Sequence, residues 1–240
     1  MKDTIYASEK AVVGDFVFDK KTADVFQDMI TRSVPGYQMS LNMIGLLAEQ
    51  YGKDGTRCYD LGCSLGAGTA TLREGLSDKN CSIVAVDLSK PMMDKCQLNL
   101  AKTESTIPVD YVLDDIRNVE VSNASIVVLN FTLQFIPIEE RDAFLKKIHD
   151  GLIEGGVLIV SEKIRFPDTQ IQSLQSDLHL LFKKKNGYSD LEISQKRSSL
   201  EKVLLPETVE DHKARLSTVG FNNSETWFQC FNFVSLFAVK

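Results

Sequence analysis

One stretch constrains the fold more than any other. Residues 56–69, TRCYDLGCSLGAGT, carry an apolar segment straight into a glycine-rich turn and then into a helical pattern. Small residues at such a turn let the backbone approach a ligand closely, and the helix that follows presents free N–H groups. In parallel α/β sheets ligands bind outside the carboxyl ends of the strands, which is where this turn would lie. The neighbouring sequence has the matching rhythm. Short β-branched runs at residues 57–61, 82–87, 109–113, 125–130 and 156–161 alternate with helical patterns at 68–75, 90–101 and 139–152. In the last of these, Phe144, Leu145, Ile148 and Leu152 fall at helical spacing. Nearly continuous apolar strands separated by helices predict a mostly parallel sheet covered on both faces.

The flanks complete the expected architecture. Residues 1–55 hold helical patterns at 23–30 and 38–50 around the turn Ser33-Val34-Pro35-Gly36-Tyr37. Residues 162–220 are polar and helical, with one turn at Asn186-Gly187, and read as a helical cap. Residues 224–240 are aromatic and β-branched, interrupted at Phe231-Asn232-Phe233, and read as two final strands of a seven-stranded sheet. With no repeat or low-complexity linker, 1–240 reads as a single α/β domain: an N-terminal helical segment (1–55), a sheet core (56–161 and 221–240) and the cap (162–220).

Composition narrows the function classes. The net charge of −6 and pI near 5.2 argue against direct nucleic-acid binding, which needs clustered Lys and Arg. The one basic run, Lys183-Lys184-Lys185, reads as a solvated helix end, with a patch for an anionic partner as the other reading. No apolar run approaches the roughly 18 residues of a membrane span. The start, MKDTIYASEKAVVGDF, has no apolar leader core, so a cytoplasmic protein is expected. Cys58, Cys63, Cys81, Cys96 and Cys230 form no C-x-x-C pair, and Cys58 and Cys81 fit buried core positions. His149, His179 and His212 lack ligand spacing, so no metal is expected.

The chemistry-bearing residues cluster at predicted strand ends. The turn reads Gly62-x-Ser64-x-Gly66-x-Gly68 behind an acidic Asp60. A pyrophosphate would be repelled by that carboxylate, whereas the cationic amino-acid end of S-adenosyl-L-methionine suits it. Asp87 ends the run Ile83-Val84-Ala85-Val86 about 20 residues beyond the turn, where an acid hydrogen-bonds ribose hydroxyls; Leu88 could flank the adenine. Asp115, in Leu113-Asp114-Asp115-Ile116, can accept from the adenine amino group or simply cap a helix, and Ile116 can pack on the ring. Asn130 follows a buried run at the mouth where a sulfonium would lie, or caps the next turn. Tyr37 follows Pro35-Gly36, a turn that can hold its ring over the site or place it in the core.

These pieces resemble the class-I S-adenosylmethionine-dependent methyltransferases, Rossmann-like in fold, over residues 56–162 and the C-terminal strands; Ser64 stands where that family usually has a second glycine. A narrower likeness covers nearly the whole chain. RSVPGYQMS, YDLGCSLGAGT, LNFTLQFI, KKKNGYSDLEISQKRS, HKARLSTVGF and WFQCFNF resemble the carboxy-S-adenosyl-L-methionine synthase family. That resemblance implies conversion of S-adenosyl-L-methionine and prephenate to carboxy-S-adenosyl-L-methionine and phenylpyruvate. It also implies a homodimer, and a product used by a separate enzyme for tRNA wobble uridine modification. By motif it implies binding positions at Tyr37, Gly62, Cys63, Ser64, Asp87, Leu88, Asp115, Ile116, Asn130 and Arg197. A small-molecule methyltransferase and a catalytically silent nucleoside binder stay open beside it.

Arg197 has a reading of its own. In a helix starting near Ser189, Ile193, Arg197, Leu200 and Leu204 follow steps of four, three and four, which predicts an inward-facing guanidinium. A buried guanidinium requires an anion, either an internal acid or a ligand carboxylate met bidentately. With the resemblance, a ligand carboxylate is expected, with Asn130 and Tyr37 orienting the reacting end. No His or Cys stands out as a protein base.

Overall fold

Aliphatic residues on both faces of the central strands force burial on both sides, and the sheet is built accordingly. The computed structural model describes residues 1–240. Two helices come first, α1 (Lys20–Ser33) and α2 (Tyr37–Tyr51). The alternating core follows: β1 (Arg57–Leu61), α3 (Ala67–Gly75), β2 (Ser82–Asp87), α4 (Lys90–Leu100), β3 (Val109–Leu113), β4 (Ala124–Asn130), α5 (Arg141–Gly151) and β5 (Leu152–Lys163). The chain ends with α6 (Thr169–Lys185), α7 (Asp190–Leu200), α8 (Val209–Val219), β6 (Asn223–Cys230) and β7 (Phe233–Val239). The sheet order is β3-β2-β1-β4-β5-β7-β6. β1 to β5 pair in parallel, and β7 runs antiparallel between β5 and β6. β1, β2 and β4 are buried almost throughout, as their near-continuous apolar runs require, whereas the edge strand β3 is largely exposed.

Two apolar layers sandwich the sheet. On one face Tyr59, Leu61, Val127 and Leu129 pack against Phe144, Leu145 and Ile148 of α5 and Leu216 and Val219 of α8. On the other, Cys58, Ile83, Ile126 and Ile159 pack against Ile44 and Ala48 of α2 and Leu72 and Leu76 of α3. Cys58 and Cys81 are free thiols buried in this second layer. No helix is long and apolar enough to cross a membrane.

The cap differs in extent from the sequence expectation. α8 begins with a capping box of Thr208 and Asp211 and contributes to the sheet's core, so it is not part of the cap. The cap is α6, α7 and the segment leading to α8. Residues near the N-terminus fold over it: Gln195 donates to the Tyr6 and Ser8 carbonyls and accepts from the Lys10 N–H, and the Tyr188 hydroxyl donates to Asp3 at 2.6 Å.

Candidate functional site

At the end of β1 the chain turns through Gly62 at φ 92°, where a side chain would collide with Thr132. Ser64 also takes a left-handed conformation, φ 51°, which costs a non-glycine residue about 1–2 kcal/mol. Its backbone N–H donates to the Asp87 carboxylate at 2.8 Å, which ties the turn to the end of β2. The other Asp87 oxygen accepts from the Ser89 N–H at 2.8 Å. With one backbone donor on each oxygen, the Asp87 carboxylate keeps free lone pairs for hydroxyl donors. Burial raises its pKa.

Asp60 is more deeply enclosed, 1% exposed, and accepts from the Thr69 hydroxyl at 2.6 Å. Burial, reinforced by the charge of Asp87, pushes its pKa up to about 6. A carboxylate so placed favours an added cation, because a positive group beside it restores the charged form. Asp115 has a different environment. The Arg117 guanidinium grips both its oxygens at 2.6–3.1 Å and holds its pKa below the usual carboxylate range. Ile116 beside it is buried, while Leu88 stands exposed at the rim.

Two further residues face the same space. The Asn130 side-chain oxygen is buried without any donor partner, an orphaned acceptor of the kind a bound ligand satisfies. Tyr37 opens α2 behind Gly36, whose φ of 76° reverses the chain against the Phe228 ring. Its own ring tilts against Phe131 with centroids 6.3 Å apart. Burial and the nearby Asp60 raise the phenol pKa, so the hydroxyl stays protonated.

One cavity of about 400 Å³ brings together Tyr37, Gly62, Cys63, Ser64, Asp87, Leu88, Asp115, Ile116 and Asn130, with Asp60 and Gly68. Aromatic residues that the sequence reading did not single out, among them Phe18, Phe131, Phe135 and Phe233, form much of its wall.

Arg197 is not among the lining residues, and the expectation that it turns inward is corrected: its side chain is exposed. The reason is the rotation of α7. The buried positions are Glu192, Ile193, Gln195, Lys196 and Ser199, so the inward face centres on Lys196. One residue further is about 100° around the helix. Leu204 also lies beyond the end of α7, so the stripe that seemed to include Arg197 is not a helical face.

The charge at the cap end is supplied instead by Lys163 at the end of β5, Lys183 in the last turn of α6, and Lys196 of α7, all lining the cavity. The basic run thus divides, with Lys183 turned inward while Lys184 and Lys185 are exposed. Burial and the other two lysines, with Arg197 further out, lower the Lys183 pKa to about 7. Lys196, held by the Ser33 hydroxyl at 3.1 Å, is lowered to about 8 by burial. His179 Nε2–H donates to the Ser33 carbonyl at 2.8 Å, and burial among these cations drops its pKa to about 3, leaving a neutral ring. The spacing of His179 and Lys183, four apart on one helix, was the available sequence signal for a shared inward face.

Comparison with known proteins agrees with this geometry. A family model described as a methyltransferase domain matches residues 59–156. The human N-acetylserotonin methyltransferase, solved with S-adenosylmethionine, shares the fold at a TM-score of 0.60 and 15% identity, over 92% of this chain and 55% of that one. The magnesium protoporphyrin IX methyltransferase of Synechocystis PCC 6803 does so at 0.59 and 16%, over 88% and 87%. Two relatives named carboxy-S-adenosyl-L-methionine synthase align along the whole chain. That of Shewanella sediminis is 53% identical, covering 100% of this chain and 98% of its own length. That of Escherichia coli is 52% identical, covering 100% and 97%. Identity at that level, running through cap and sheet alike, shows that the chain belongs to the carboxy-S-adenosyl-L-methionine synthase family.

Proposed function

We propose that this enzyme makes carboxy-S-adenosyl-L-methionine from S-adenosyl-L-methionine and prephenate, releasing phenylpyruvate. The observation that carries the reading is the full-length identity to relatives named carboxy-S-adenosyl-L-methionine synthase, together with a cavity that continues from the ends of β1 and β2 to the cap. Prephenate loses carbon dioxide and hydroxide as its ring aromatises. The carbon dioxide bonds to the methyl carbon of S-adenosyl-L-methionine, and hydroxide with the displaced methyl proton makes water. That donor supplies a methyl group whose protons the adjacent sulfonium acidifies.

The chain's own groups position and shield. Asp60 takes the ammonium, Asp87 the ribose hydroxyls, and Asp115 with Ile116 and Leu88 the adenine. Asn130 and Tyr37 orient the reacting end, and the neutral Tyr37 hydroxyl donates a hydrogen bond there. The aromatic wall excludes water. Arg197 adds positive potential from the outer side of the cap, within electrostatic range of Lys163 and Lys183.

A homodimer fits the exposed apolar stripe Ile171, Leu174 and Leu181 on α6, a surface a second copy would cover. The acidic net charge fits a cytoplasmic enzyme that hands its product to a separate tRNA-modifying enzyme without binding nucleic acid itself.

Incubation of the protein with both substrates, followed by mass spectrometry, tests this directly. Carboxy-S-adenosyl-L-methionine and phenylpyruvate should accumulate in equal amounts. Appearance of S-adenosylhomocysteine with a methylated acceptor would make it an ordinary methyltransferase.

A further inference from the structure

The cavity has two electrical poles. Asp60, Asp87 and Asp115 belong to one, at the ends of β1 and β2 and just beyond β3. Lys163, Lys183 and Lys196 belong to the other, converging from a strand and two helices. The two acids whose charge reaches Lys196 are already committed. Asp3 accepts from the Tyr188 hydroxyl and the Ile5 N–H, and Asp28 from the Arg32 guanidinium and the Asp3 N–H. Only Lys196 has these two acids in range, and it forms an ion pair with neither. The charges acting on Lys163 and Lys183 are all positive. Neither ammonium donates a hydrogen bond to any protein group, and neither is among the sealed-off atoms, so both reach open cavity space.

Three ammonium groups gathered in an aromatic-lined space, none of them ion-paired with a carboxylate, repel one another and are costly to desolvate. A fold keeps such an arrangement where an anion completes it. Resting on the reading above, we propose that Lys163, Lys183 and Lys196 form the carboxylate subsite that receives the dianionic co-substrate, with its two carboxylates divided among the three ammonium groups. Lys183 feels the positive charge of both of the others. The neutral His179 ring, edge-on to Phe233 with centroids 4.9 Å apart, lies between the cations and the aromatic wall. The nucleoside keeps the acidic pole. The subsite therefore sorts the two substrates by charge before any chemistry occurs.

Two measurements test the assignment. Steady-state kinetics at saturating S-adenosyl-L-methionine should show Lys183→Met raising the KM for prephenate at least tenfold, with Lys183→Arg recovering part of the loss. Affinity for S-adenosylhomocysteine should change less than twofold in both. In the wild-type protein saturated with S-adenosylhomocysteine, brief acetylation read by mass spectrometry should find the three lysines protected at least fivefold by prephenate or by malonate. Lys184 and Lys185 should be unaffected. If wild type does not consume prephenate but malonate still protects the three lysines, the subsite stands and the co-substrate reading fails. Unchanged prephenate KM in Lys183→Met overturns the subsite while the activity reading survives. So does protection by S-adenosylhomocysteine alone, which would give the lysines to the donor's own carboxylate. Absence of malonate protection in a protein that also lacks turnover overturns both.

Discussion

At the strand end of the cavity, carboxylates sit on turns that follow rigid parallel strands, and backbone N–H groups fix Asp87 from two sides. At the cap end, ammonium groups hang on long stems from the end of β5 and from α6 and α7, the last with a largely polar buried face held by Gln195, Ser199, Tyr188 and a folded-over N-terminal segment. The first pole is built for geometry and the second for charge. A nucleoside has hydroxyls and a ring edge that need fixed partners, whereas a carboxylate-bearing acid is satisfied by mobile cations in a low-dielectric space. The difference teaches that the two halves of the site should fail in different ways when altered.

The sharpest break comes from cutting the tie between them. Arg141 is fully buried, pairs with Glu207, and donates to the carbonyls of Ile136 at 3.0 Å and Leu205 at 2.9 Å, where the chain leaves the cap. Removing Arg141 leaves Glu207 with Arg215 as its remaining partner and takes the donor from the buried carbonyls of Gln134, Ile136 and Leu205, a loss of about 3 kcal/mol or more. Arg141→Met should therefore lower Tm on the order of 10 °C. Limited proteolysis should cut first between residues 165 and 207. A variant that unfolds in one step, with no early cap cleavage, would show that cap and sheet are one cooperative unit.

Asp60→Asn tests the strand pole. The substitution keeps an acceptor for Thr69 but removes the charge for the ligand ammonium, so calorimetry should show S-adenosyl-L-methionine affinity falling about 100-fold. Stability should move the other way. Asp60 has a folded pKa raised from 3.8 to about 6, so its contribution is full below pH 3.8 and is lost as pH rises through 6. At pH 7 the ligand-free wild type carries that loss, on the order of 2–3 kcal/mol, and the Asn variant does not. Its Tm should exceed wild type by roughly 5 °C at pH 7, with no gain near pH 4. In the wild type, donor affinity should weaken as pH falls below 6. A pH-independent affinity down to pH 5 would place the ammonium elsewhere.

These two ends also differ in how much the sequence disclosed. The strand pole is legible because each part is local: an apolar run, an acid at its end, and small residues at the turn are all within a few positions. Ser64 marks the limit, since only the structure shows it in the left-handed region that a glycine would occupy more easily. The cap was misread because its inward face has no apolar stripe. Ile193, Leu200 and Leu204 suggest one, yet polar contacts from residues 3–10 rotate α7 so that Lys196, not Arg197, faces in. Helix rotation set by partners nearly 190 residues away in sequence leaves no local trace. The same blindness made Lys183 look like part of a solvated run, and assigned α8 to the cap when its Leu216 and Val219 serve the sheet.

Gln195→Ala probes that rotation. It removes two donated bonds and one accepted bond to residues 6–10, and a partly compensated loss of this kind costs about 1 kcal/mol. Hydrogen exchange should quicken across residues 3–18 and α7, with prephenate KM rising severalfold and S-adenosylhomocysteine affinity steady. Equal loss of both ligands would erase the distinction between the poles.

The smallest effect is expected at the residue that the sequence reading set against the ligand carboxylate. Arg197 is exposed and forms no ion pair or hydrogen bond within the chain, so Arg197→Ala should change folding stability by less than about 0.5 kcal/mol. Its field reaches Lys163 and Lys183 without contact, and such long-range influence is screened within about 8–10 Å at ordinary ionic strength. The variant should keep its donor affinity and raise prephenate KM only a few-fold, with most of that increase vanishing in high salt. Lys183→Met, whose ammonium would touch the anion, should keep its deficit at any salt concentration. If Arg197→Ala instead matches or exceeds Lys183→Met under high salt, the guanidinium makes direct contact with the ligand. Because its own chain turns it outward, that contact would have to be made in the cavity of a second copy across the α6 stripe.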